Sequence, residues 1–125
     1  MRIVRSTQTR RTATASAVMT TLASPALGAA ANPLWRVEAG AGQAGPLHCI
    51  DAEQVWTLLE GAATVTVETE RADLAAGDTI VIPADLPRQF IPGPDGFAAV
   101  VTGPGAMHAY MPGAADAKNP LPWAA

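Results

Sequence analysis

The sequence predicts an all-β single domain, a sandwich or a barrel. Three observations carry this. The chain has 125 residues, the size of one domain, and about half of it is hydrophobic, enough for a core. Short runs rich in β-branched residues recur with turn signals between them. Helical periodicity never extends beyond about ten residues, and eleven glycines and eleven prolines favour many short elements.

The elements follow in order. Residues 16–23, SAVMTTLA, alternate Val18, Thr20 and Leu22 against Met19, Thr21 and Ala23, as a strand does. The preceding Arg10-Arg11 and the small residues that follow also resemble a secretory signal. Threonines and serines interrupt its apolar part, so a strand segment over about 15–38 is the preferred reading, with a glycine/alanine-rich loop at 24–33. The runs 34–39 (LWRVEA), 46–50 (PLHCI), 54–61 (QVWTLLEG) and 63–70 (ATVTVETE) are read as strands. Residues 71–78 are read as a short connection and 78–83 (DTIVIP) as a buried strand that Pro83 ends. The pattern continues through 88–92, 97–103 and 107–112, and the tail 113–125 is expected to pack irregularly through Trp123.

Charge and cysteine content narrow the function classes. The net charge is −3, with Arg2, Arg5, Arg10 and Arg11 crowding the start. No basic stripe with interleaved aromatics occurs, which excludes nucleic-acid binding; the cluster reads as a solvated N-terminal edge. No segment is apolar enough to span a membrane. The single cysteine, Cys49, permits no internal disulfide and favours a reducing compartment. The expected location is therefore cytoplasmic, or secreted if the N-terminal segment is a signal. Cys49 itself reads as a small buried hydrophobe. Phosphate loops, dinucleotide fingerprints, CxxC pairs and the G-x-S-x-G elbow are all absent.

The informative stretch surrounds His48. Gly42 is followed by five residues and His48, then Ile50, Gln54 and Gly61; Gly77 is followed by five residues and Pro83, then Asp85, Arg88 and Pro92. This frame resembles the cupin superfamily, specifically the small single-domain, quercetinase-like bacterial cupins. Their first motif reads G-x5-H-x-H-x3,4-E-x6-G and their second G-x5-P-x-G-x2-H-x3-N. Here the motifs lie within residues 42–92, and the resemblance implies one cupin domain over residues 1–125, a jelly-roll barrel (double-stranded β-helix). It also implies a homodimer.

Set against that family pattern, the metal positions are degenerate. Of the three histidines and one carboxylate, only His48 remains. Ile50, Gln54 and Arg88 stand at the other positions; isoleucine cannot ligate, and arginine opposes a nearby divalent cation. The expectation is no bound metal. The alternative is iron, nickel, manganese or zinc held by His48, Glu53 and His108 with Gln54.

The same residues suggest a small-molecule pocket. His48 can serve as acid/base, its ordinary pKa lying near 6.5, or remain as a satisfied polar relic. Arg88 can bind a carboxylate, enolate or phenolate, or sit in a rim ion pair. Gln54 can bond the ligand or His48, or only backbone. Trp56, sharing Gln54's face, offers a stacking wall or simple core packing. Ile50, Tyr110 and His108 are placed with it as ligand contacts. The expected function is metal-independent proton transfer, an isomerisation or cyclisation, on an oxygenated aromatic or polyketide-like metabolite. The alternatives are a metal-dependent dioxygenase-like enzyme and a non-catalytic binding cupin.

Overall fold

The structure, a computed structural model, describes every residue from Met1 to Ala125. Ten strands form: β1 (Arg10–Ala13), β2 (Val18–Ala23), β3 (Leu34–Ala39), β4 (Cys49–Ile50), β5 (Gln54–Val67), β6 (Glu70–Ala75), β7 (Thr79–Ile82), β8 (Arg88–Thr102), β9 (His108–Tyr110) and β10 (Asn119–Pro120). Two single 3-10 turns, Ser6–Gln8 and Pro122–Ala124, are the only helical residues, and no helix is long and apolar enough to cross a membrane. The larger sheet runs β1-β2-β3-β8-β5-β6, with β7 also on β5; the smaller runs β10-β9-β4. His48 and Arg88 exchange both backbone hydrogen bonds and so tie the start of β4 to the start of β8. The result is the expected jelly-roll barrel.

Alternation explains which residues fill it. On β3, Trp35, Val37 and Ala39 point inward while Leu34 and Glu38 face solvent. Leu58, Ile82, Ala99 and Val101 are completely buried between them. The aromatic count is low, so small residues such as Ala63, Ala98 and Ala99 close the remaining space.

Several element boundaries differ from expectation. The runs 54–61 and 63–70 are one strand, β5. Gly61 does not end it; register shifts at Leu58/Glu60 and Gly61/Ala63 mark bulges at which the strand bends. Below the bend β5 pairs with β7, and above it with β6. Residues 88–92 and 97–103 likewise fuse into β8. The connection expected at 71–78 is mostly strand β6, reached by a hairpin in which Glu68 takes a positive φ of 54°. That turn carries no glycine or asparagine, the residues that announce such hairpins. Strand β7 is not buried throughout: it pairs with β5 alone, and its Val81 is 56% exposed.

The termini close on each other. Arg10–Ala13, read as a solvated edge, pairs with β2, and Arg10 donates to the carbonyls of Pro122 and Ala125. The tail, expected to be irregular, contributes β10 and a turn, and buries Leu121 and Ala124. Thr21, fully buried on β2, donates its hydroxyl to the Trp123 carbonyl at 2.8 Å. Thr21→Val keeps the shape but leaves that carbonyl without its donor. The expected cost is about 1–2 kcal/mol in urea unfolding, and an unchanged midpoint would show that the clasp contributes nothing.

Candidate functional site

A cavity of about 460 Å³ lies between the two sheets. Trp35, Val37 and Ala39 of β3 line one wall, Phe90 and Phe97 of β8 another, and Ile50 and Ala109 the smaller sheet. Loops 14–17 and 43–46, with Leu121 and Trp123 from the tail, complete the lining. This size is ordinary for a small-molecule site.

Five of the expected residues line it together: His48, Ile50, Gln54, Trp56 and Arg88. Arg88 is 1% exposed. Its Nε donates to the Leu86 carbonyl at 2.9 Å, Nη2 to the Pro83 carbonyl at 2.9 Å and Nη1 to Gln54 Oε1 at 3.4 Å. Every partner is a neutral oxygen. Burial pulls the Arg88 pKa down, and the neighbouring Cys49, Asp85 and Tyr110 side chains oppose that pull; a guanidinium nevertheless stays charged.

Both ends of the Gln54 amide are engaged. Its Oε1 also accepts from Trp56 Nε1 at 3.1 Å, and its Nε2 reaches Met107 Sδ at 3.3 Å. Two donors meet at Oε1, and they fix the amide orientation, since a flipped amide would set donor against donor. The indole of Trp56, held by this bond, stacks on Phe90 with centroids 4.2 Å apart and planes inclined at 21°. Sequence reasoning missed Phe90 as a cavity residue; alternation from Arg88 along β8 was the signal that could have placed it there.

His48 is half-buried, and the pKa of its imidazole is lowered, first by burial and then by the charge of Arg88. The neutral ring is therefore the form at neutral pH. No side-chain hydrogen bond within the protein involves its ring nitrogens.

Three expected residues lie elsewhere. His108 and Tyr110 were placed on the inward face of the last strand, but Ala109 lines the cavity instead. The parity of β9 is set by its neighbours: Asp51 accepts from the His108 backbone N–H at 2.7 Å and lies 3.1 Å from its Nδ1. Tyr110 donates to Asp85 at 2.7 Å, a bond that raises the phenol to about 12. Burial raises the Asp51 pKa, but the His108 backbone N–H, the His108 charge and Lys118 outweigh it and leave the carboxyl below its ordinary value. Glu53 is exposed and outside the cavity lining. The alternative ligand set of His48, Glu53, His108 and Gln54 is therefore not assembled, and nowhere in the chain do three His, Cys, Asp or Glu side chains converge on a metal position. At the cavity itself one imidazole, an amide whose oxygen already accepts two hydrogen bonds and a guanidinium do not form a donor set for a divalent cation.

The family model for the cupin domain matches residues 34–103, more than half of the chain. No curated protein matches. Among solved structures, an oxalate decarboxylase variant from Bacillus subtilis aligns with a TM-score of 0.71 at 16% identity, over 79% of this chain and 28% of that one. A Lactobacillus farciminis oxalate decarboxylase in a formate complex gives 0.71 at 17%, over 79% and 32%. An RmlC-like cupin from Shewanella frigidimarina gives 0.69 at 21%, over 82% and 90%. The chain thus spans about a third or less of the decarboxylases, and the likeness to all three is one of fold.

Proposed function

The chain belongs to the cupin superfamily, and from that premise we propose that it catalyses proton transfer on a small oxygenated molecule, without a metal, using His48 as the base. The observation that carries this is the pairing of a neutral imidazole, free of side-chain hydrogen bonds within the protein, with a buried guanidinium in the same largely apolar cavity. His48 takes a proton from the carbon next to a carbonyl, giving imidazolium and an enolate. The charge of Arg88 stabilises that enolate, and the apolar lining weakens its screening. Return of the proton to another carbon, or to oxygen, completes an isomerisation with no net redox change. Trp56 and Phe90 supply a flat wall against which the substrate is oriented.

The test is solvent-deuterium exchange into a cyclic 1,4-diketone, whose ring protons exchange slowly in buffer alone, followed by NMR, with metal content measured in parallel. Exchange above the buffer rate is expected, and it is expected to survive dialysis against a chelator. Loss of exchange on chelation, restored by iron, nickel, manganese or zinc, overturns the metal-free reading. Binding of the diketone without any exchange replaces the enzyme with a binding cupin.

A further inference from the structure

We propose that the cavity selects a flat, largely apolar molecule carrying a single negative charge, with Arg88 as its fixed counter-charge. This rests on the reading of the cavity as a ligand site and adds the class of ligand.

The first argument is a charge count. Arg88 is the only formally charged side chain in the cavity lining; no aspartate or glutamate reaches it. The second concerns pairing. None of the three ion pairs in the protein involves Arg88: they join Arg36 to Glu38, and His108 and Lys118 to Asp51. The nearby Asp85 is an exposed residue whose carboxylate accepts from Tyr110. A guanidinium has five N–H donors. Three are bonded to Leu86, Pro83 and Gln54, which leaves two without a protein acceptor.

A buried charge whose only nearby carboxylate, Asp85, is exposed and outside ion-pair distance is incompletely compensated, and an anion entering the cavity offsets that cost. The compensation stops at one. A second negative charge would be desolvated among Trp35, Val37, Phe90 and Phe97 with no cation to meet it. A compact dianion such as oxalate therefore fits badly. The shape argument agrees. Phe90 continues from the Trp56 stack to Phe97, 6.1 Å away, so the apolar wall is aromatic and broad.

The experiment compares benzoate, benzamide, phthalate and oxalate by quenching of tryptophan fluorescence in chloride-free buffer. Benzoate and benzamide share a shape and differ in charge; phthalate adds a second charge. Benzoate is expected to bind at least about tenfold tighter than benzamide and about tenfold tighter than phthalate, with oxalate weaker still. In Arg88→Met, benzoate affinity is expected to fall to that of benzamide, while unchanged benzamide binding shows the cavity intact. Should that variant not fold, the ranking on the wild-type protein decides alone. Equal binding of benzoate and benzamide, phthalate as tight as benzoate, or no binding of benzoate overturns the inference. None of these ligands is enolisable, so failure of proton exchange leaves the ranking untouched, and the reverse also holds.

Discussion

Gly96→Ala is expected to lower stability by about 3 kcal/mol or more, a large part of the roughly 5–15 kcal/mol that holds a domain of this size. Gly96 has a φ of 71°, a left-handed conformation that costs a residue with a Cβ about 1–2 kcal/mol. A Cβ there would also overlap the Ala39 carbonyl oxygen and come within 3.0 Å of Gly40 Cα. These are backbone atoms and cannot swing aside as a side chain end would. Gly61, across on β5, repeats the situation: at φ 73° its Cβ would overlap the Gly96 carbonyl oxygen and lie 3.0 Å from Phe97 Cα. The two glycines thus let β3, β8 and β5 approach at the bulge where β5 bends. Gly77→Ala is the control. Its φ is 93°, but nothing lies within 4 Å of the added carbon, so only the conformational cost of about 1–2 kcal/mol applies. Thermal unfolding of the three variants checks this, and a Gly96→Ala loss no larger than that of Gly77→Ala would rule out the close approach.

The glycines also mark what could be read from the sequence. Gly42, Gly61 and Gly77, the spaced glycines around His48, all adopt positive φ. They fixed the frame, and with it the convergence of His48, Ile50, Gln54, Trp56 and Arg88. What could not be read were continuity and parity. A glycine that ends a strand and one that bends it look alike in sequence, so β5 and β8 were each divided. The Glu68 hairpin has no turn residue to announce it, so β6 went unseen. On β9, a strand of three residues offers too little alternation to say which of His108, Ala109 and Tyr110 points inward. The answer depends on Asp51 and Asp85, which come from turns far away in sequence. Glu53 faces solvent for a similar reason: with Gln54 inward at the start of β5, its neighbour must point out.

The hydrogen bonds of Gln54 could not be foreseen either, and they change what the site is. An amide at a position where the family pattern has a carboxylate left three partners open: a ligand, His48 or backbone. Instead it joins the indole of Trp56 to the guanidinium of Arg88. The cavity therefore holds two kinds of polar group. Arg88 and Gln54 are bound to the protein and set the field and the wall. The ring of His48 carries no side-chain hydrogen bond within the protein, and Arg88 keeps two N–H groups without a protein acceptor.

That division makes His48→Ala the second large effect. General-base catalysis contributes about 10²–10⁴-fold, so exchange into the diketone is expected to fall by that factor, or about 3–5 kcal/mol in barrier height. Benzoate affinity should change little, because the counter-charge stays. The pH profile separates a base from a structural residue. Burial and Arg88 disfavour the imidazolium, so the pKa of His48 in the folded protein lies below 6.5. The base form then persists to more acidic pH than an ordinary histidine allows, and the exchange rate should decline only below that range. Arg88→Met removes one of the two causes, so the acid limb should move back toward neutral pH. Stability follows the same sign. The unfolded chain binds the His48 proton more readily than the folded one. Stability is therefore at its full value above about pH 6.5 and falls as the pH drops through the lower folded pKa. In His48→Ala that part of the acid decline should vanish, while the part due to Asp51, at more acidic pH, remains. If His48→Ala keeps the wild-type exchange rate, His48 is a relic, and the proton is moved by another group or by none.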